Sequence, residues 1–282
     1  MKPLSPLPEP ANYLGRYVSI RDSKHHGTRG LLVANHALLT QRYQDHAQAV
    51  ALGALESLQP NVQARQISEA LRACYGGATQ PLKELKRDIK AEQPERRLKY
   101  CPMCGTTLPK TFDHYLPAEK FPEFSVHPLN LVPCCSICNS IKNDDWLCAA
   151  GRRQYLHAYS DHLPDEPFIQ VMLHKNPALK GVGATFALRR PAGMADALWQ
   201  LIDSHFRKLN LIERYNERGN DEVSEILSDC RSYVAAGGQD ARAFLSLQAA
   251  DRAAVYGRNH WIAVLMEAVA AHADFDDWIA AN

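Results

Sequence analysis

Cys101-Pro-Met-Cys104 and Cys135-Ser-Ile-Cys138 are two Cys-x-x-Cys pairs, separated by thirty residues. Together they supply four thiolates, enough to close a tetrahedral zinc shell. Five of the eight cysteines fall between positions 101 and 138. Nothing in the chain points to an oxidising compartment, so a cluster of this kind reads as a metal site and not as a disulfide framework. Cys134 competes with Cys135 as the third ligand, and the two-residue spacing to Cys138 favours Cys135. Residues 105–134 must therefore build something inside a loop that the metal closes.

Inside that loop lie Thr111-Phe-Asp113-His114-Tyr-Leu-Pro117 and His127-Pro-Leu-Asn130-Leu-Val-Pro133. Asn139-Ser-Ile-Lys142 follows the second cysteine pair. The linear order Asp-His-x-x-Pro, Asn-Leu-x-Pro-x-Cys-x-x-Cys, Asn-x-x-Lys resembles the HNH nuclease family, over 42 residues of 282. The likeness departs at the third signature position. Many members carry His there and this chain carries Asn139, an H-N-N variant that also occurs among active members.

The resemblance implies an α+β chain, mostly helical, around a small ββα-metal core stapled by zinc on Cys101, Cys104, Cys135 and Cys138. It implies a DNA endonuclease in which His114 is the general base. Asp113 and Asn139 would hold the catalytic metal, and Asn130 would fix the loop that carries the base. Hydrolysis of a phosphodiester needs an attacking water, a proton acceptor and positive charge near the phosphate. Adjacent residues on a strand face opposite ways, so Asp113 and His114 are expected to divide metal and water between them. A carboxylate and an amide oxygen are hard ligands that suit Mg²⁺ or Mn²⁺, with Mg²⁺ favoured. Lys142, one helical turn from Asn139, is expected to contact a phosphate. The other readings are RNA cleavage by the same chemistry and a zinc module that only binds nucleic acid or a protein partner. The core also resembles standalone HNH proteins of bacterial anti-phage systems, some of which act with an ATPase.

Working outward, the expected divisions are a helical region at 1–94, the nuclease core at 95–150, and a β-hairpin followed by helices at 151–282. Residues 1–30, with His25 and His26, read as loop. Periodic apolar positions predict helices at 36–58, 64–75 and 80–92. The last carries Lys83, Lys86, Arg87 and Lys90 on one face, suited to phosphates, although Glu84, Asp88 and Glu92 lie close by. Phe168–His174 and Thr185–Arg189 read as strands. Helices are expected near 193–209, 211–235, 240–254 and 258–281, with Gly219 a possible break in the second. His127, His157, His162 and His174 match nothing in the motif and read as structural. Cys74, Cys148 and Cys230 read as buried apolar residues.

Net charge is +1. Residues 211–282 carry 6 Lys/Arg against 12 Asp/Glu, or −6, and residues 1–210 carry 26 against 19, or +7. A DNA backbone would favour the first part. The acidic part would suit a partner protein or self-association. No apolar run approaches the roughly 18–20 residues that a membrane span needs. The N-terminal ten residues lack an apolar signal core, which leads to an expected cytoplasmic location.

Overall fold

The computed structural model describes residues 2–9, 12–176 and 181–280. They form two compact units, Pro3–His162 and the segment from Leu163 onward, which Lys2 joins.

The first unit begins with α1 (Tyr13–Asp22), α2 (His26–Ala34) and α3 (His36–Ala51). The loop expected over residues 1–30 is therefore largely helical. The apolar signal there is thin. Only Tyr13, Tyr17 and Ile20 are buried on α1, at helical spacing, and only Leu32 on α2. Contacts with the rest of the unit supply what local periodicity does not. Helix α3 stops before the expected 58, at Leu52–Gly53, where Gly53 takes φ +63°. The predicted 64–75 helix is two short ones, α4 (Val62–Gln66) and α5 (Ser68–Ala73). Helix α6 (Gln80–Ala91) buries Leu82, Leu85 and Ile89, which leaves its lysines on the other side.

Two four-residue strands follow, β1 (Thr111–His114) and β2 (Leu131–Cys134), and then α7 (Ser136–Lys142). The strands are antiparallel, with Asp113 opposite Val132 and His114 opposite Leu131. A ladder this short is marginal alone. Here it is packed on both flanks. From the N-terminal side, Arg42 Nε of α3 donates to Glu123 Oε1 at 2.8 Å in a buried pair. The rings of His46 and His127 lie 4.0 Å apart. From the C-terminal side, the Tyr159 hydroxyl donates to the Leu131 carbonyl at 2.8 Å, and the Tyr115 hydroxyl donates to the Tyr155 carbonyl at 2.8 Å. These contacts explain why the unit runs from Pro3 to His162 and does not divide at 94 and 150.

The second unit opens with the antiparallel hairpin β3 (Ile169–Asn176) and β4 (Gly181–Leu188). Helices α8 (Asp196–Lys208), α9 (Leu211–Ala235), α10 (Ala241–Tyr256), α11 (Trp261–Ala271) and α12 (Phe275–Ala280) complete it. Gly219 does not break α9. A Cβ there would lie 2.9 Å from the Phe186 ring and 3.3 Å from Ala184 Cβ, so the glycine lets the helix approach β4 closely. Asn216 and Asn220, one turn apart on α9, accept the backbone N–H groups of Phe186 (2.7 Å) and Ala184 (3.1 Å). The helix thus closes a strand edge that would otherwise present unpaired donors. The helix expected over 258–281 is two, separated by residues 272–274. Among the described residues, no helix is long and apolar enough to cross a membrane.

Candidate metal centre and active site

The four predicted sulfurs come together. Cys101, Cys104, Cys135 and Cys138 are buried, and their Sγ atoms all lie within 4.8 Å of one another. Cys104 Sγ and Cys135 Sγ are 3.9 Å apart. Four sulfurs about 2.3 Å from a tetrahedral zinc would be separated by about 3.8 Å, so the cluster fits a metal such as zinc. The local backbone explains the convergence. Gly105 takes φ +70° directly after Cys104, and its N–H donates to the Cys101 carbonyl at 2.8 Å, turning the chain back. Cys135 is the N-cap of α7, where its sulfur accepts the Cys138 N–H at 3.4 Å. Cys101 Sγ accepts the Cys135 N–H at 3.3 Å. Cys134 is outside the cluster, with its sulfur 3.4 Å from Thr111 Oγ1. The remaining cysteines divide: Cys74 and Cys230 are buried, whereas Cys148 is half-buried.

Close to this cluster, Asp113, His114 and Asn139 line one cavity of about 380 Å³. His114 ends β1. Its Nε2 lies 2.8 Å from the Ser125 carbonyl oxygen. A carbonyl can only accept, so Nε2 carries the ring proton and Nδ1 keeps its lone pair. The Tyr75 ring meets the imidazole edge-on at 4.4 Å. Burial, more than any other influence, lowers the His114 pKa to about 4. The positive charges of Lys142, Lys86 and Arg72 push the same way, and the Ser125 carbonyl opposes them. The imidazole is thus held neutral with a fixed tautomer.

Asn130 is fully buried. Its Oδ1 accepts the Leu116 N–H at 2.7 Å, and its Nδ2 donates to the Leu116 and Phe124 carbonyls, each at 3.1 Å. One amide therefore ties the segment after His114 to the turn before Ser125, the residue that orients the imidazole. On α7, Asn139 Nδ2 points to Thr111 Oγ1 at 3.4 Å, and the amide oxygen is left for other partners.

Lys142 is not placed to touch a phosphate. Its side chain has no solvent exposure. The ammonium donates to Asp113 Oδ1 at 3.2 Å and to the His114 carbonyl at 2.8 Å, and it lies 3.0 Å from Asp113 Oδ2. The helical spacing that puts Lys142 below Asn139 also turns it inward, beneath β1. Burial raises the Asp113 pKa, and the buried ion pair with Lys142 opposes that rise. Asp113 still lines the cavity, with its carboxylate paired to Lys142 from beneath.

A second groove of about 730 Å³ shares His114 and Asn139 with the first cavity. Lys83, Lys86, Arg87 and Lys90 of α6 line it, together with Lys110. Asp88 of α6 offsets part of this charge, at Arg87. Asp88 pairs with Arg16 (2.6 Å) and Arg87 (2.9 Å). Lys86 Nζ sits 3.8 Å above the centre of the Tyr75 ring, a cation–π contact that holds it at the groove wall. His127 and His157 are buried against rings and backbone, and His157 Nε2 contacts the Leu129 carbonyl at 3.0 Å.

Several cavity-lining side chains carry no signal in the motif, among them Arg72 of α5, Glu119, Asn143 and Asp144. Arg72 lies in an ordinary-looking helix, and only tertiary packing brings it to the site.

No protein-family model matches the chain, and no solved structure matches it. A stretch of 136 residues is 32% identical to Protein ea31 of Escherichia phage lambda, covering 48% of this chain and 45% of that protein. The described residues are therefore a mixed helix-and-sheet chain with a four-cysteine cluster able to hold a metal.

Proposed function

We propose that this chain is a metal-dependent DNA endonuclease of the HNH type. The observation that carries the reading is the convergence of Asp113, His114 and Asn139 on one cavity, with the imidazole pinned through Nε2 so that Nδ1 is its free base. Three features of the donor set suit a hard divalent ion such as Mg²⁺ or Mn²⁺. Asp113 brings a carboxylate to the cavity, the Asn139 amide points its oxygen away from Thr111, and water can fill the rest of the cavity. When bound, that ion would supply positive charge to the phosphate and to the leaving oxygen.

The chain's own residues divide the remaining work. His114 Nδ1 takes a proton from a water as the water oxygen attacks phosphorus and the bond to the leaving oxygen breaks. The carbonyl of Ser125 keeps the imidazole oriented and steadies it as it becomes cationic. Asn130 holds that carbonyl in register with His114. Lys142 pairs with Asp113 and favours its carboxylate form. The zinc-bound thiolates would fix α7, and with it Asn139, against β1. The lysine-lined groove beside His114 supports a nucleic-acid substrate, since phosphates attract such a surface irrespective of sequence.

The test is plasmid cleavage with Mg²⁺, wild type against His114→Ala. Loss of a general base should lower the rate by about 10²–10⁴ with melting temperature and zinc content unchanged. Because burial and nearby cations hold His114 near pKa 4, the base stays unprotonated well below neutrality. The acid limb of the rate profile should therefore fall near pH 4 and not near the ordinary histidine value of about 6.5. Equal inertness of both proteins, with DNA binding retained, would leave only a binding module.

A further inference from the structure

With Lys142 buried, the cavity at His114 needs another cation to meet the phosphate directly. Among the residues lining it, the cation is Arg72 of α5. Its Nη1 lies 2.6 Å from Glu119 Oε1, and the two side chains are 49% and 53% exposed. Glu119 lines the same cavity. Two properties make this pair exchangeable. An exposed ion pair is held weakly, because water screens it and ordering two long side chains opposes it. The guanidinium fork fits a phosphate as well as a carboxylate, and the phosphate of a nucleic-acid strand would repel Glu119 while attracting Arg72. Glu119 thus stands where a phosphate oxygen would stand.

We propose that Arg72 is a further catalytic residue, one that grips the DNA backbone at the scissile phosphate, and that Glu119 is its resting partner, displaced as the strand enters. The proposal rests on the reading of the site as a DNA nuclease, but its central claim is about binding and is read without cleavage. Arg72 and the α6 lysines then contact the strand on the two sides of His114, since the two cavities share that residue.

The experiment is fluorescence anisotropy with a labelled DNA duplex in Mg²⁺-free buffer, on wild type, Arg72→Ala, Glu119→Gln and the double variant. Arg72→Ala should weaken binding roughly tenfold and reduce the slope of log affinity against log salt by about 0.9, one phosphate contact. Arg72→Lys should restore the slope but not the full affinity, because an ammonium lacks the fork. Glu119→Gln should tighten binding roughly fivefold, and this gain should be clearly smaller in the double variant. A gain of equal size with and without Arg72 would be a general charge effect and would overturn the proposal. So would wild-type affinity and slope in Arg72→Ala, or no DNA binding by wild type. Melting temperature and zinc content check the fold of each variant. The nuclease reading fails by a different result: a wild type that binds DNA yet leaves plasmid uncut with Mg²⁺.

Discussion

The segment from Cys101 to Lys142 and the segment from Leu163 onward solve the same problem by opposite means. The first has two four-residue strands, and it buries Asp113, Glu123, Ser125, His127, Asn130 and Lys142. Polar groups in such numbers cannot be held by hydrocarbon alone. Each needs a partner, and the frame needs ties such as a four-thiolate metal site. The second has eight-residue strands and α11, where Trp261 to Met266, Val269 and Ala270 are all buried. There, apolar contact does most of the work, and side-chain amides serve strand backbone: Asn216 and Asn220 at β4, and buried Asn259, whose Oδ1 accepts the Phe168 and Ile169 N–H groups. The lesson is that a site for charged chemistry is assembled from groups that destabilise a core, so it is built where metal ligation and paired charges can hold it.

The sharpest way to break this comparison is to remove one sulfur. Cys104→Ala should abolish zinc binding and unfold the Cys101–Lys142 segment, since structural zinc in small domains contributes about 10–16 kcal/mol of apparent folding energy. Differential scanning calorimetry with metal analysis should show the transition of the segment from Leu163 onward surviving. Full zinc content and full stability in the variant would end the account of the core as metal-stapled.

A smaller effect is expected at the buried ion pair. Lys142→Met leaves Asp113 charged and unpaired, at a cost of about 3–5 kcal/mol. Adding Asp113→Asn should recover part of that loss in urea unfolding. If Lys142 were instead a phosphate contact, the single variant would keep its stability and lose DNA affinity, so the same protein distinguishes the two roles.

The smallest effect is reserved for the apolar unit. Gly219→Ala should be destabilising by about 1–3 kcal/mol through overpacking against Phe186. This runs against the gain of about 1 kcal/mol that alanine ordinarily brings to a helix interior. A stabilised variant in a denaturant titration would mean that α9 and β4 are not in close contact.

How much was legible varied with the kind of signal. Cysteine spacing located the four-cysteine cluster because ligation geometry allows few spacings. It also favoured Cys135 over Cys134, whose sulfur the structure turns towards Thr111. The α6 lysine face followed from 3.6-residue periodicity. The hairpin was read from the strand-like runs Phe168–His174 and Thr185–Arg189, the second of which begins earlier in the structure, at Gly181. Helices α1 and α2 were missed because their buried residues are too few to mark a face. Lys142 was misread because helical spacing gives the face a residue shares but not whether that face points to solvent. Arg72 and Glu119 carried no local signature at all.

By itself the sequence determined the residue types and spacings: four thiols in two close pairs, an Asp-His step on a strand, and amides at fixed intervals after it. Those are properties of short stretches, where backbone geometry leaves few outcomes. Tertiary structure alone decided which nitrogen of His114 is free, which cation is spent on Asp113, and which arginine reaches the cavity. Each of those depends on burial and on partners distant along the chain, and a spacing pattern carries no information about either.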